Sequence, residues 1–260
     1  VYNLAKLEAA LTGTVFAGLH FSPRTDSTNS DAQAAARSAA PHGSVYFADE
    51  QLAGRGRGDH AWRSASGEGL YASIVLRPRI PAHRLPLLPL AAGLAAAEAI
   101  HAVCGLAIDL RWPNDLLIGP RKVGGILVEA KNSGSAVDFA VVGVGINVHQ
   151  RTFEAGLSTP ATSLDLATGK QVSRQELLVS LLKSLERELV GLADPATGVT
   201  IPARVELAST WICGRRVEVH GPQACIGTTE GLDEHGFLLV RTDSGLVTVQ
   251  TGGIRSVEMG

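Results

Sequence analysis

The stretch Gln51-Leu52-Ala53-Gly54-Arg55-Gly56-Arg57-Gly58-Asp59-His60-Ala61-Trp62 decides the reading of this chain. Neither a core strand nor a helix accommodates it, because glycines lose the most backbone entropy on ordering and unpaired guanidiniums are not buried. A bound ligand has to offset that cost. Glycine lets the backbone come close to such a ligand, and guanidiniums offer planar forks of N–H donors to carboxylate and phosphate oxygens. Gly/Arg tracts also occur in RNA-binding tails and solvated loops. Here the tract occurs once, between the strand-like runs 45–49 and 70–76, so it reads as an anion-binding loop.

Four further segments bear on the same chemistry. Asp26, Ser27, Thr28 and Asn29 are all N-cap types at the head of one helix, where a single cap would suffice. In R-W-P-N-D-L-L, residues 111–117, Pro113 follows a strand and bends the chain so that Asn114 and Asp115 stand at its end. In R-K-V-G-G-I-L-V-E, residues 121–129, Lys122 precedes Gly124 and Gly125, which remove side chains where something approaches the backbone. In A-V-V-G-V-G-I-N-V, residues 140–148, glycines alternate on one face of a buried strand that ends in Asn147. Taken singly, these also read as a turn, a solvated hairpin lysine and a strand cap. G-V-G-I-N lacks the third glycine of a dinucleotide fingerprint and runs into V-H-Q-R-T, and no G-x-x-x-x-G-K-[S/T] is present. Neither a Rossmann site nor a P-loop fits.

A length of 260 residues with 45% hydrophobic content suits one large domain, or a main domain with a small satellite. The net charge of -2 gives no overall attraction to nucleic acid, so any basic site is local. Cys104, Cys213 and Cys225 share no C-x-x-C spacing and the histidines form no H-E-x-x-H pair, so neither a disulfide framework nor a structural metal is expected. The apolar run 85–104 contains Pro86, Pro89, Glu98 and His101 and reads as a core helix, not a membrane span. The opening V-Y-N-L-A-K-L-E-A-A-L lacks the regions of a signal peptide, so a cytoplasmic location is expected.

Periodicity predicts helices over 6–11, 26–40, 85–104, 173–192 and 202–211, and strands at 20–23, 45–50, 70–77, 109–112, 116–118, 125–130 and 137–148. Several strands are joined by connections too short for a crossover helix. The expected fold class is therefore α/β (α+β), a mixed and largely antiparallel sheet with flanking helices. The 173–192 helix opens on the capping box S-R-Q-E and lays its leucines on one face. After Gly214 come short strands at 216–220, 224–232, 237–242, 247–251 and 254–257, divided by the turns G-P-Q, D-E-H-G and D-S-G. So short a β unit seldom folds alone and is expected to borrow the core of the main domain. The expected division is 1–213 and 214–260.

Taken in order, D-S-T-N, Q-x-A-G-R-G-R, W-P-N-D, K-x-G-G-I-L-V-E and G-x-G-I-N-V resemble the biotin protein ligases, the biotin-[acetyl-CoA-carboxylase] ligases, over about residues 20–150. The resemblance implies a catalytic domain related to class II aminoacyl-tRNA synthetases and lipoate ligases, followed by a small SH3-like β-barrel. It implies that biotin and ATP, the latter with Mg2+, are joined into biotinyl-5'-AMP, and that biotin then passes to a lysine of a biotin carboxyl carrier domain. Carried over by position, Ser27, Thr28, Asn29 and Gln51 bind the biotin head group, while Gly54, Arg55, Gly56 and Arg57 line its carboxylate and the α-phosphate. Lys122 falls between those two anions and Gly125 beneath the ligand. Asn114 and Asn147 fall at the nucleotide with Arg55, Arg57 and Lys122, and Trp62 closes the loop over it. Arg57, Lys122 and Asp115 are the implied catalytic groups, Asp115 through holding the acceptor amine during transfer. Two anions that must meet need cations between them and glycines to admit them.

The family loop continues G-R-G-R-x-G-R-x-W, whereas here Gly58, Asp59 and His60 precede Ala61 and Trp62, so one arginine is missing and Arg63 is the nearest substitute. The segment before Asp26 is too short for the winged helix of the regulatory members, so specific DNA binding is not expected, and neither is a membrane partner. A lipoate ligase or lipoyl transferase on the same scaffold is disfavoured by G-R-G-R and the separate C-terminal unit. A non-catalytic acyl-adenylate sensor is disfavoured by the presence of both Arg57 and Lys122.

Overall fold

The computed structural model describes residues 2–257 apart from 17, 59, 135 and 194–199. Helix α1 (Leu4–Ala10) is capped by Asn3, whose Oδ1 accepts from Lys6 N at 3.0 Å. Strand β1 (Leu19–Thr25) leads through helix α2 (Thr28–Arg37) to β2 (Val45–Gln51), and this crossover makes β1 and β2 parallel. Strand β3 (Gly69–Leu76) is followed by helix α3 (Leu87–Cys104) and by β4 (Asp109–Arg111), β5 (Asp115–Ile118), β6 (Arg121–Ser133) and β7 (Ala136–Asn147). Together they form a seven-stranded sheet in the order β1-β2-β3-β7-β6-β5-β4, antiparallel among the described residues at every pair except the first. Helices α4 (Leu164–Thr168), α5 (Arg174–Ala193) and α6 (Thr200–Leu207) come next. Strands β8 (Cys213–His220), β9 (Cys225–Leu232), β10 (Leu238–Thr242), β11 (Gly245–Val249) and β12 (Gly253–Ser256) make a second antiparallel sheet in the order β11-β10-β9-β8-β12.

The mixed, largely antiparallel architecture matches the expectation, and the departures have local causes. Strand β6 runs past the predicted residue 130 because Lys131 pairs with Phe139 and Asn132 with Val137, and its exposed residues Lys131, Asn132 and Ser133 carry no hydrophobic signal. Helix α2 stops at Arg37, short of residue 40. Ala39 takes a φ of 63°, and the Arg77 guanidinium donates to the carbonyls of Ala36 in the last turn and of Ala40 just beyond it. Helix α4, too short for a periodic signal, is capped by Ser163, whose Oγ accepts from Leu166 N at 3.3 Å.

Side chains alternate along β7 between two faces. Val142, Val144 and Ile146 enter the main core with Leu70, Ile74 and Leu76 and with helices α3 and α5. Phe139 and Val141 pack on the other face against Ala32 and Ala36 of α2. Gly143 and Gly145 continue that second face, where the Asn29 carboxamide at the head of α2 and the Trp62 indole come close to the backbone.

Helix α3 is long and apolar enough by composition to cross a membrane, but it lies within the core against α5 and α6. The second sheet shares that core through Val217, Val219, Leu238, Val240, Val249 and Ile254. Polar ties reinforce the docking: Trp112 Nε1 donates to Gly236 O at 3.0 Å, and Leu232 N donates to Glu206 Oε1 at 2.7 Å.

Candidate active site

A cavity of about 1070 Å³ opens on the α2 face of the large sheet, bordered by every candidate residue named from the sequence. At one end lies the head of α2. Ser27 occupies the N-cap position yet makes no capping bond, and its buried Oγ has no partner. Gln51 caps in its place: its Oε1 accepts from Thr28 N at 2.9 Å and Thr28 Oγ1 at 3.0 Å, while its Nε2 donates to Ser64 Oγ at 2.7 Å. The Ser27 hydroxyl is thereby left without a capping role, although it stands at the N-cap position. Thr28 Oγ1 also lies 2.8 Å from Ser73 Oγ, which donates to Asn29 Oδ1 at 2.9 Å.

The floor is made by the β7 glycines. A Cβ on Gly143 would collide with the Asn29 carboxamide, and one on Gly145 would lie 2.7 Å from the Trp62 indole. Trp62 folds back over the sheet as part of a tight hairpin in which Gly56 N donates to His60 O at 2.7 Å and Trp62 N to Gly54 O at 2.8 Å. Its Nε1 is buried without a partner.

Cations gather at the middle of the cavity. The β4–β5 turn contains a cis Trp112–Pro113 bond and sets Asp115 opposite Arg111. Asp115 Oδ2 accepts from Arg111 Nη2 at 2.6 Å, and Asp115 Oδ1 lies 2.5 Å from Lys122 Nζ. Burial alone would push the Asp115 carboxyl up, but the Lys122 ammonium and the Arg111 guanidinium outweigh it and hold the group below the usual carboxylate range. Lys122 Nζ stands 5.5 Å from the Trp62 ring centre, and a Cβ on Gly125 would lie 3.6 Å from it. Arg57 Nη2 donates to Gly252 O of the second sheet. Burial draws the Arg57 pKa down, with Asp115 opposing, and the guanidinium remains charged at neutral pH.

The other candidates are more constrained than the sequence indicates. Arg55 Nη2 is paired with Glu129 Oε1 at 2.6 Å, so a carboxylate already meets its charge. Asn114 Nδ2 donates to Ile126 O at 2.8 Å and ties the β4–β5 turn to β6. Asn147 Nδ2 donates to Thr162 O at 3.0 Å. Arg63 borders the cavity mouth 3.6 Å from Glu154, and Asp59 lies outside the described residues.

Residues 21–147 match the biotin/lipoate A/B protein ligase family, and residues 212–254 match the biotin protein ligase C-terminal domain. The biotin-[acetyl-CoA-carboxylase] ligase of Paracoccus denitrificans is 33% identical over 234 residues, spanning 85% of this chain and 93% of that protein. The chain belongs to the biotin protein ligase family. The bifunctional ligase/repressor BirA of Bacillus subtilis is likewise 33% identical over 235 residues, 88% of this chain and 70% of that protein. Among solved structures, a biotin protein ligase from Aquifex aeolicus in complex with biotin and ATP superposes with a TM-score of 0.79 at 30% identity, covering 92% of this chain and 98% of that one.

Several residues of this biotin protein ligase site escape a reading of the sequence. Arg111 and Glu129 stand inside the quoted motifs, yet nothing in their spacing marks them as the partners of Asp115 and Arg55. Gln150 is buried beside the cavity with Oε1 unpartnered, two residues beyond the G-x-G-I-N-V motif. The stretch 152–161 and two edges of the second sheet, 220–222 and 251–255, complete the walls without any motif.

Proposed function

We propose that this ligase activates biotin with ATP to biotinyl-5'-AMP and transfers biotin to a lysine of a carboxyl carrier domain of a biotin-dependent carboxylase. The observation that carries the reading is the placement of Lys122 and Arg57 in one cavity with the unpartnered Ser27 hydroxyl of the α2 head. The neutral polar end suits the biotin head group, and the cationic middle suits the meeting of two anions. There a biotin carboxylate oxygen attacks the α-phosphorus and pyrophosphate departs, with no proton transfer required. In the second step the acceptor lysine's amine attacks the mixed-anhydride carbonyl, AMP leaves and the nitrogen gives up its proton. Mg2+ enters with ATP as part of the substrate. Biotin-dependent exchange of labelled pyrophosphate into ATP tests the assignment. Exchange driven by lipoate in place of biotin, or no exchange at all, would overturn it.

In this reading the chain divides into a catalytic unit, 1–213, and a β unit, 214–260; the separate pairing of the second sheet supports two units and, because Cys213 already pairs with Glu230, moves the boundary one residue earlier. Its three free cysteines support a cytoplasmic location. Operator binding is not expected, because a net charge of -2 gives no overall attraction to nucleic acid. Any DNA affinity at low salt should vanish at physiological ionic strength. Salt-resistant binding to a palindromic operator in a filter or mobility assay would contradict this.

Loop 54–66 is rich in glycine and arginine and has Trp62 as its main apolar anchor, so its ordering in solution draws on the ligand. Biotin with ATP should slow proteolytic cleavage within it several-fold. Cleavage at equal rates with and without the two substrates would remove the loop from ligand binding.

A further inference from the structure

We propose that Glu129 is a positioning residue that latches the ligand loop, and that Arg55 acts through this latch instead of by touching the reacting anions. The proposal rests on the ligase reading above for its kinetic arm and on geometry alone for its structural arm. Glu129 lies on β6 opposite Val141, on the α2 face, but does not border the cavity. Three donors converge on its carboxylate. Oε1 accepts from Arg55 Nη2 at 2.6 Å, and Oε2 accepts from Asn29 Nδ2 and Gln33 Nε2, each at 2.5 Å.

These bonds close a circuit that leaves the loop and returns to it. From Ser64 at the loop stem it runs to Gln51, to Thr28 at the head of α2, to Ser73 on β3, to Asn29, to Glu129 and back to Arg55 on the loop arm. The loop is thus hooked at stem and arm to the same helix head that presents Ser27 to the cavity. A ligand seated on Ser27 and a closed loop are two readouts of one arrangement. The Arg55–Glu129 pair is partly exposed, and alone such a pair contributes little. Here Glu129 is already fixed by Asn29 and Gln33, so less side-chain freedom is lost when Arg55 docks. A guanidinium neutralised in this way adds little positive potential at the phosphates, which leaves that task to Arg57 and Lys122.

The test uses the full chain as wild type, Glu129→Gln, Arg55→Gln and the double variant. Subtilisin cleavage of the loop is followed without and with biotin plus ATP, alongside the KM for biotin and kcat in pyrophosphate exchange. Each single variant should speed cleavage of the ligand-free loop several-fold and raise the biotin KM roughly tenfold, with the loss falling mainly on KM. The double variant should be no worse than the poorer single one, because both remove the same contact. Losses that multiply in the double variant would overturn the latch. So would Glu129→Gln with wild-type cleavage and KM, or an Arg55→Gln variant that loses kcat while its loop stays protected, which would place Arg55 on the anion. Arg55→Gln changes an exposed arm, so it reads the latch even if Glu129→Gln folds poorly. If wild type performs no biotin-dependent exchange, the ligase reading fails by itself, and the ligand-free cleavage rates still decide the latch.

Discussion

Lys122→Ala and Arg57→Ala are each expected to lower adenylate formation by roughly 10²-fold or more, about 3 kcal/mol of transition-state stabilisation, the scale of removing one preorganised donor. Lys122 is the better placed of the two. Its ammonium is held 2.5 Å from Asp115, faces the Trp62 ring at 5.5 Å and has only the glycine backbone of Gly125 beneath it. A carboxylate and a triphosphate brought into that space repel each other. Removing the ammonium leaves the attack with its repulsion uncompensated. Folding should survive, because Asp115 keeps Arg111 as a partner at 2.6 Å. Arg57→Ala carries a second effect, since it also cuts the bond from the loop to Gly252 of the β unit. Single-turnover formation of biotinyl-AMP, measured with each variant's thermal midpoint, checks both. A variant that forms the adenylate at the wild-type rate would remove its residue from the chemistry.

Why these two cations could be picked from the sequence, and Glu129 could not, is a matter of what local patterns encode. Gly54, Gly56, Gly125 and Gly145 advertise themselves because a residue without a side chain needs a reason, and a basic residue beside them suggests an anion. The largely antiparallel sheet follows from short connections and alternation, whereas the parallel β1–β2 pair comes only from the structure. Pairing across the fold leaves no such mark. Arg55 and Glu129 meet across a separation of 74 residues, and either alone is an ordinary surface charge. Stretch 152–161 reads as a loop and nothing more, yet Lys122 N donates to Pro160 O at 2.8 Å, a backbone bond that any residue could accept, and Arg111 Nη2 donates to Thr159 Oγ1 at 2.8 Å across 48 residues. The contribution of 251–255 depends on how the second sheet docks, which is set by burial of Val217, Leu238 and Ile254 and not by any residue near the cavity.

Asp115→Asn is expected to damage stability and both half-reactions, more broadly than a role confined to transfer. The carboxylate is only 15% exposed and lies between Lys122 and Arg111. Replacing it with an amide leaves two cations facing each other in a poorly solvated turn, and losing one member of such a group costs about 3 kcal/mol. The folded-state pKa is lowered, so the stabilisation is fully present above the unfolded value of about 3.9 and is lost as the pH falls through the lower folded value. Wild type should therefore exceed the variant in unfolding free energy at pH 7, with the gap closing below about pH 4. In adenylate formation the variant should be slow because Lys122 is no longer held in place. In transfer, direct proton abstraction from a lysine ammonium by a carboxylate is uphill by roughly 9 kcal/mol from ordinary pKa values, and a carboxylate held lower still is a weaker base. What Asp115 supplies there is position and charge for the incoming amine, with the proton accepted only as C–N bond formation makes the nitrogen acidic. Transfer from preformed biotinyl-AMP should accordingly be slow in the variant and recover in part at higher pH, where free amine is more abundant. Equal transfer rates for the two proteins would confine Asp115 to holding Lys122, and an unchanged gap in stability between pH 7 and pH 3 would remove the ion triad as its cause.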